Sequence, residues 1–157
     1  MSKVILKSFI FLVLLSCSKE ANDQLPPKME VFIKDFNTEI YERYNLVSNS
    51  YGGDFDRSVK RVAINYSSEY FLDKTKAVFL IQRISDDFLF YLNGSLDLNP
   101  FLIPKPFTRN QMDINIEFND PETKGPVSPP CIAKITMKQG HLSLFVLDPE
   151  TNKLAPA

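Results

Sequence analysis

Met112-Asp113-Ile114-Asn115-Ile116-Glu117-Phe118 alternates apolar and polar residues without a break. A period of two puts Met112, Ile114, Ile116 and Phe118 on one face of an extended chain, and Asp113, Asn115 and Glu117 on the other. Such a strand has one buried face and one wet face, as in an antiparallel sheet covered on one side only. The pattern repeats downstream. Cys131, Ala133, Ile135 and Met137 alternate with Lys134, Thr136 and Lys138 in a strand opened by Cys131, and Leu142, Leu144 and Val146 form the inward set of another. Lys138-Gln139-Gly140-His141 joins these two as a tight hairpin. Acids on one polar face and lysines on the next suit cross-strand ion pairs. Phe145 and Leu147 depart from the rule, since they fall on the wet face together with Ile132. These three residues define a candidate partner surface.

Upstream, the period changes to that of a helix. Met29, Phe32, Ile33, Phe36, Ile40, Tyr44 and Val47 recur at spacings of three and four, with charged residues between them. The polar face is mixed and acid-leaning rather than lysine-rich, which favours core packing over lying on a membrane. Asn49, Ser50, Gly52 and Gly53 predict a turn after this helix. The segment Val59 to Tyr66 reads two ways: Val62, Ile64 and Tyr66 alternate as in a strand, whereas Phe55, Val59, Val62 and Tyr66 fit a helical stripe. Its β-branched and aromatic content, closed by Ser67-Ser68, favours the strand. Phe71 to Asn93 is again helical, with Ala77, Leu80, Ile81, Ile84, Phe88, Tyr91 and Leu92 on one side. Phe79, Leu89 and Phe90 widen that stripe and predict a helix buried on more than one side. Adjacent Asp86 and Asp87 point to different faces, so they do not pair. Pro100, Pro104 and Pro106 exclude regular structure from Leu98 to Arg109, leaving an apolar loop laid over the core; Phe101 to Ile103 and Phe107 could instead form a recognition edge. Asn119 to Pro130, with four prolines, is a long irregular loop. The expected fold is therefore α+β, with two amphipathic helices on a mostly antiparallel sheet of about four strands, in the order α-β-α-β-β-β.

The first residues are of another kind. Lys3 and Lys7 precede an apolar run ending in Leu14-Leu15-Ser16-Cys17, and polar residues follow at once. This is a charged n-region and an h-region too short to span a bilayer. An ordinary secretory signal or a buried core helix would also fit the length. The last four residues resemble the lipobox of bacterial lipoproteins, and the resemblance implies cleavage before Cys17 and a lipid on its sulfur. It divides the chain into a signal peptide (1–16), a lipidated cysteine with tether (17–27, ending in Pro26-Pro27) and one globular domain (28–157). Several acyl chains make such an anchor effectively permanent. Ser18 in second place implies the outer membrane where an envelope has two. Farther on, the long helix ending in Asn93 and the Pro106-Phe107-Thr108 loop leading into a strand resemble small uncharacterised α+β proteins of intracellular bacteria. That likeness spans about Ile33 to Phe118, favours the strand at Val59 to Tyr66, and implies no activity.

Composition narrows the chemistry. The chain has 18 basic and 19 acidic residues, and removal of Lys3 and Lys7 leaves 16 against 19, so no basic field exists to hold nucleic acid. One histidine, His141 beside the hairpin, cannot build a triad or a multi-histidine metal site. With Cys17 lipidated, Cys131 has no partner for a disulfide and reads as a small buried hydrophobe. Gly52-Gly53 lacks the surroundings of a phosphate loop, and Asp54-Phe55-Asp56 lacks the calcium-loop pattern. No cofactor or metal is expected. The leading expectation is a membrane-anchored envelope lipoprotein that binds or assembles with another envelope protein. A small hydrolase using acids such as Asp54, Asp56 or Asp113, and an immunity or inhibitor protein with an acidic surface, are the alternatives.

Overall fold

The strand at Met112 is the third of six in a single mixed sheet. The computed structural model describes residues 27–55 and 57–157; Cys17, the signal peptide, most of the tether and Asp56 lie outside them. The elements are α1 (Pro27–Tyr44), β1 (Val47–Phe55), β2 (Val59–Ser68), α2 (Lys74–Gly94), β3 (Met112–Phe118), β4 (Lys134–Lys138), β5 (His141–Asp148) and β6 (Lys153–Pro156). The strands stand side by side in chain order. Every neighbouring pair is antiparallel except β2 and β3, which run parallel because α2 carries the chain back between them.

The fold is thus α+β and mostly antiparallel, but with six strands rather than about four. The first addition is β1. Asn49, Ser50, Gly52 and Gly53 are not a turn: Gly52 and Gly53 lie opposite Ala63 and Val62 within a nine-residue strand. Side chains compensate for the poor strand propensity of the segment. Asn65 donates to Ser50 Oγ at 2.8 Å, and Ser67 donates to Asn49 Oδ1 at 3.1 Å. An edge strand also needs only one set of ladder bonds. The second addition is β6, held to β5 by a turn built on Asp148. Its carboxylate accepts from the Thr151 hydroxyl at 2.8 Å and from Glu150 N–H at 2.9 Å.

Both helices cover one face of the sheet. Met29, Ile33, Phe36 and Ile40 of α1 are buried, as are Ala77, Leu80, Ile81, Ile84, Phe88 and Leu92 of α2. Phe88 stands edge-on to Phe32 and Phe36, at centroid distances of 5.5 and 5.1 Å, and locks the two helices together. Helix α1 stops at Tyr44, where Asn45 takes a left-handed conformation (φ 49°) and donates its N–H to Tyr41 O. Val47 therefore leaves the helical stripe, opens β1 and is exposed. Helix α2 begins at Lys74, three residues later than its apolar pattern suggests, because Asp73 caps it by accepting from Lys76 N–H at 2.8 Å. It is not buried on several sides: Phe79 is 67% and Phe90 75% exposed. Those residues are eleven apart, three turns of helix, and share the side turned away from the sheet.

Strand β4 starts at Lys134, not at Cys131. Pro129 and Pro130 have no N–H to give, and Cys131 N–H turns back to Ser128 O. Cys131 is a half-buried free thiol packed against the core. The hairpin between β4 and β5 is as tight as expected, with Gln139 at φ 50° and Gly140 at φ 80°. Positive φ at both central residues is the geometry of a type I′ turn. Leu98, Leu102 and Phe107 of the proline-rich loop are buried over the core, while Ile103 is exposed. Among the described residues, no helix is long and apolar enough to cross a membrane.

Candidate functional site

The face of the sheet away from the helices has no covering layer among the described residues. Its middle is a row of small polar side chains set in register: Ser50 opposite Asn65, Asn65 opposite Asn115, Asn115 opposite Thr136, and Thr136 opposite Ser143. Residues paired this way share a face and sit side by side across the strands. The short side chains of Asn65, Asn115, Thr136 and Ser143 leave a shallow trough of about 560 Å³.

Ion pairs frame the trough on both sides. On one, Arg61 bonds Asp113 at 2.6 Å. On the other, Lys134 reaches directly across the ladder to Glu117 at 3.0 Å, the cross-strand pairing that the alternation of acids and lysines suggested. Lys138 lines the trough and makes no ion pair among the described residues. Two atoms shielded from solvent, Asn115 Oδ1 and Arg61 Nε, have no hydrogen-bond partner among the described residues.

Of the three residues assigned to a partner surface, one occupies this site. Phe145 is half-buried, stands opposite Lys134 and lines the trough. Leu147 lies opposite Leu154 and is packed against the edge of the core. Ile132 does not belong to the surface: it is 2% exposed, and its N–H bonds Leu72 O beside the start of α2. The bond draws it to the helix side before the regular alternation of β4 begins.

The candidate acids divide as well. Asp113 lines the trough and bonds Arg61, and Asp54 is an exposed residue whose ladder partner is Arg61. Asp56 lies outside the described residues. His141 is exposed at the hairpin, opposite Lys138. Among the described residues, no three His, Cys, Asp or Glu side chains come together as a metal site.

The row Asn65, Asn115, Thr136 and Ser143 escapes reading from sequence because no residue in it is unusual alone. The available signal is that the central outward position of each of these strands is polar, where aromatic and aliphatic β-branched residues are common. Chemically, the site offers amide and hydroxyl groups, the ammonium of Lys138 and one aromatic edge. It can hold a polar chain by hydrogen bonds and ion pairs. Compared with known protein families, with curated proteins and with solved structures, the chain matches none.

Proposed function

We propose that this chain is a lipid-anchored lipoprotein of the bacterial cell envelope that holds a polar segment of a protein partner against the open face of its sheet. The observation that carries the reading is the in-register row from Asn65 to Ser143, lying in a trough beside Phe145. A sheet face that only meets water has no need of short side chains along its centre, whereas a bound chain needs the space. Lys138, which makes no ion pair among the described residues, complements an acidic side chain of such a segment, and Phe145 supplies the aromatic contact that interfaces favour. The anchor rests on Leu14-Leu15-Ser16-Cys17. It would keep the trough at a membrane, where a partner in the same envelope meets it at high local concentration.

The test places a photoreactive residue at exposed Ser143 in the trough and, as a control, at exposed Thr75 on the helix side. Crosslinking in cells from position 143 alone, to one protein, lost when Phe145→Asp is added to a chain that still folds, supports the reading. Equal crosslinking from both positions, or capture unaffected by Phe145→Asp, sinks it. Metabolic labelling with a palmitate analogue checks the anchor, because Cys17→Ser must remove the label.

A further inference from the structure

Exposed apolar side chains stand at both ends of the fold: Tyr41, Val47, Tyr70 and Phe71 at one, and another set at the end nearest the tether. The end of the fold where α1 begins is also where α2 finishes and where β2 and β3 start. Lys28 of the first turn of α1 pairs with Asp97, three residues past α2, at 3.5 Å. At this end Leu96 is 87% exposed, more than any other large apolar side chain described. Val31 on α1, Phe90 in the last turn of α2 and Ile103, whose N–H bonds Val59 O at the start of β2, are exposed with it. Together they form an apolar rim.

Charge differs between the two ends. Beside the rim stand exposed Arg57, Lys60 and Lys105, with Asp54 and Asp35 the acids that make no ion pair among the described residues, while Asp97, Asp86 and Glu30 are paired with Lys28, Arg109 and Lys34. The opposite end carries Glu69, Asp73, Asp120, Glu122, Asp148 and Glu150, with Lys124 and Lys76 paired to the first two and Lys74 and Lys153 exposed beside them, so acids remain in excess. Anionic lipid attracts the former and repels the latter.

We infer that the rim is the face with which the domain rests on its membrane, Leu96, Val31, Ile103 and Phe90 meeting the headgroup region and the cations meeting anionic phosphates. This inference rests on the lipid anchor proposed above. Cys17 and Pro27 are ten positions apart, so the span between them is at most about 35 Å. The ten residues of β2 alone measure roughly 33 Å along the sheet. An anchored chain can therefore bring this end to the bilayer at any extension of the tether, whereas the acidic end reaches it only near full stretch. In this orientation the strands stand away from the membrane, and the trough opens sideways, parallel to it.

The protein contains no tryptophan, so a single introduced tryptophan reports its own surroundings. Full-length Leu96→Trp and, separately, Phe71→Trp at the far end are purified with their lipid and reconstituted in vesicles of phosphatidylethanolamine and phosphatidylglycerol. Folding of each is verified by circular dichroism, and Val31→Trp replaces Leu96→Trp if the latter does not fold. The expected result is a blue-shifted emission for the rim tryptophan and severalfold stronger quenching by brominated lipid than for tryptophan at position 71. Equal quenching at both positions, in protein that floats with the vesicles and carries a lipid at Cys17, overturns the docking face and leaves the anchor standing. An intact mass showing unmodified Cys17, with no flotation, overturns the anchor and this inference with it.

Discussion

Asn93 and Phe107 are joined by two hydrogen bonds: the Asn93 side-chain amide donates to Phe107 O and its carbonyl accepts from Phe107 N–H, each at 2.8 Å. The last turn of α2 thereby pairs with the loop backbone as a neighbouring strand would. The pairing seats Phe107, 1% exposed, in the core. Directly after it, Thr108 and Gln111 cap the short 3₁₀ turn Arg109–Gln111 that feeds β3. Replacing Asn93 by Ala removes both bonds and strands a part-buried N–H and carbonyl, at a cost of about 2 kcal/mol. Chemical denaturation should show that loss. Amide exchange should rise first from Phe107 to Met112, and unchanged exchange there would argue against the clamp.

Tyr66 reaches through the core in a similar way. Fully buried on β2, it donates its hydroxyl to Asn37 Oδ1 on α1 at 2.8 Å, and Asn37 in turn donates to Ser48 Oγ on β1 at 3.0 Å. Burial pushes the phenol well above its ordinary pKa, so it stays a donor throughout the physiological range. Tyr66→Phe keeps the ring and leaves the Asn37 carbonyl without its donor, which should cost about 1–2 kcal/mol. Adding Asn37→Leu to it should recover part of the loss, because the orphaned acceptor then disappears. A double variant weaker than the sum of its parts would refute that coupling.

Periodic segments were legible and compensated ones were not. Met112 to Phe118 and the two main apolar stripes translate directly into β3, α1 and α2, since burial of one face dictates the spacing. Segment Asn49 to Gly53 reads as a turn because propensity is local, while the bonds from Asn65 and Ser67 that hold it as a strand come from residues more than a dozen positions away. Exposed Phe79 and Phe90 mislead for a different reason: a stripe shows which residues are apolar and not how many neighbours the helix has. The trough was hidden because it belongs to the register between strands. Phe145 stands out in sequence because it breaks the alternation of its own strand; Asn115 and Thr136 obey theirs.

Gly52 tests the strand reading directly. A Cβ built there meets nothing within 4 Å, and its ladder partner is Ala63 on the open face. If the segment is a strand in solution, Gly52→Thr should stabilise by about 0.5–1 kcal/mol, through lost freedom in the unfolded chain and better strand propensity. A flexible turn would gain nothing. Gly140 is the counter-example, with φ 80° and the Asn110 Oδ1 atom 3.2 Å from a built Cβ. The same change there must destabilise, and a denaturation series on the two variants should give shifts of opposite sign.

The turn on Asp148 makes the acid stability of the β5 and β6 pair predictable. The Thr151 hydroxyl and the Glu150 N–H, with Thr151 N–H assisting, hold the carboxylate below its ordinary pKa of 3.8. A group whose pKa is lower in the folded state than in the unfolded chain contributes stability that is complete above the unfolded value and is lost as pH falls through the folded one. Asp148 therefore adds nothing pH-dependent near neutrality and withdraws its contribution only as pH drops below about 4. Asp148→Asn removes that dependence. The variant should begin with a lower melting temperature at pH 7 and approach the wild type as both are titrated to pH 2. Two curves running parallel over the whole range would mean that the hydroxyl and amide donors of this turn do not distinguish the carboxylate from its amide. Asp120, bonded by Thr123 and Glu122 N–H and also lowered, provides an independent turn in the same molecule on which to repeat the comparison.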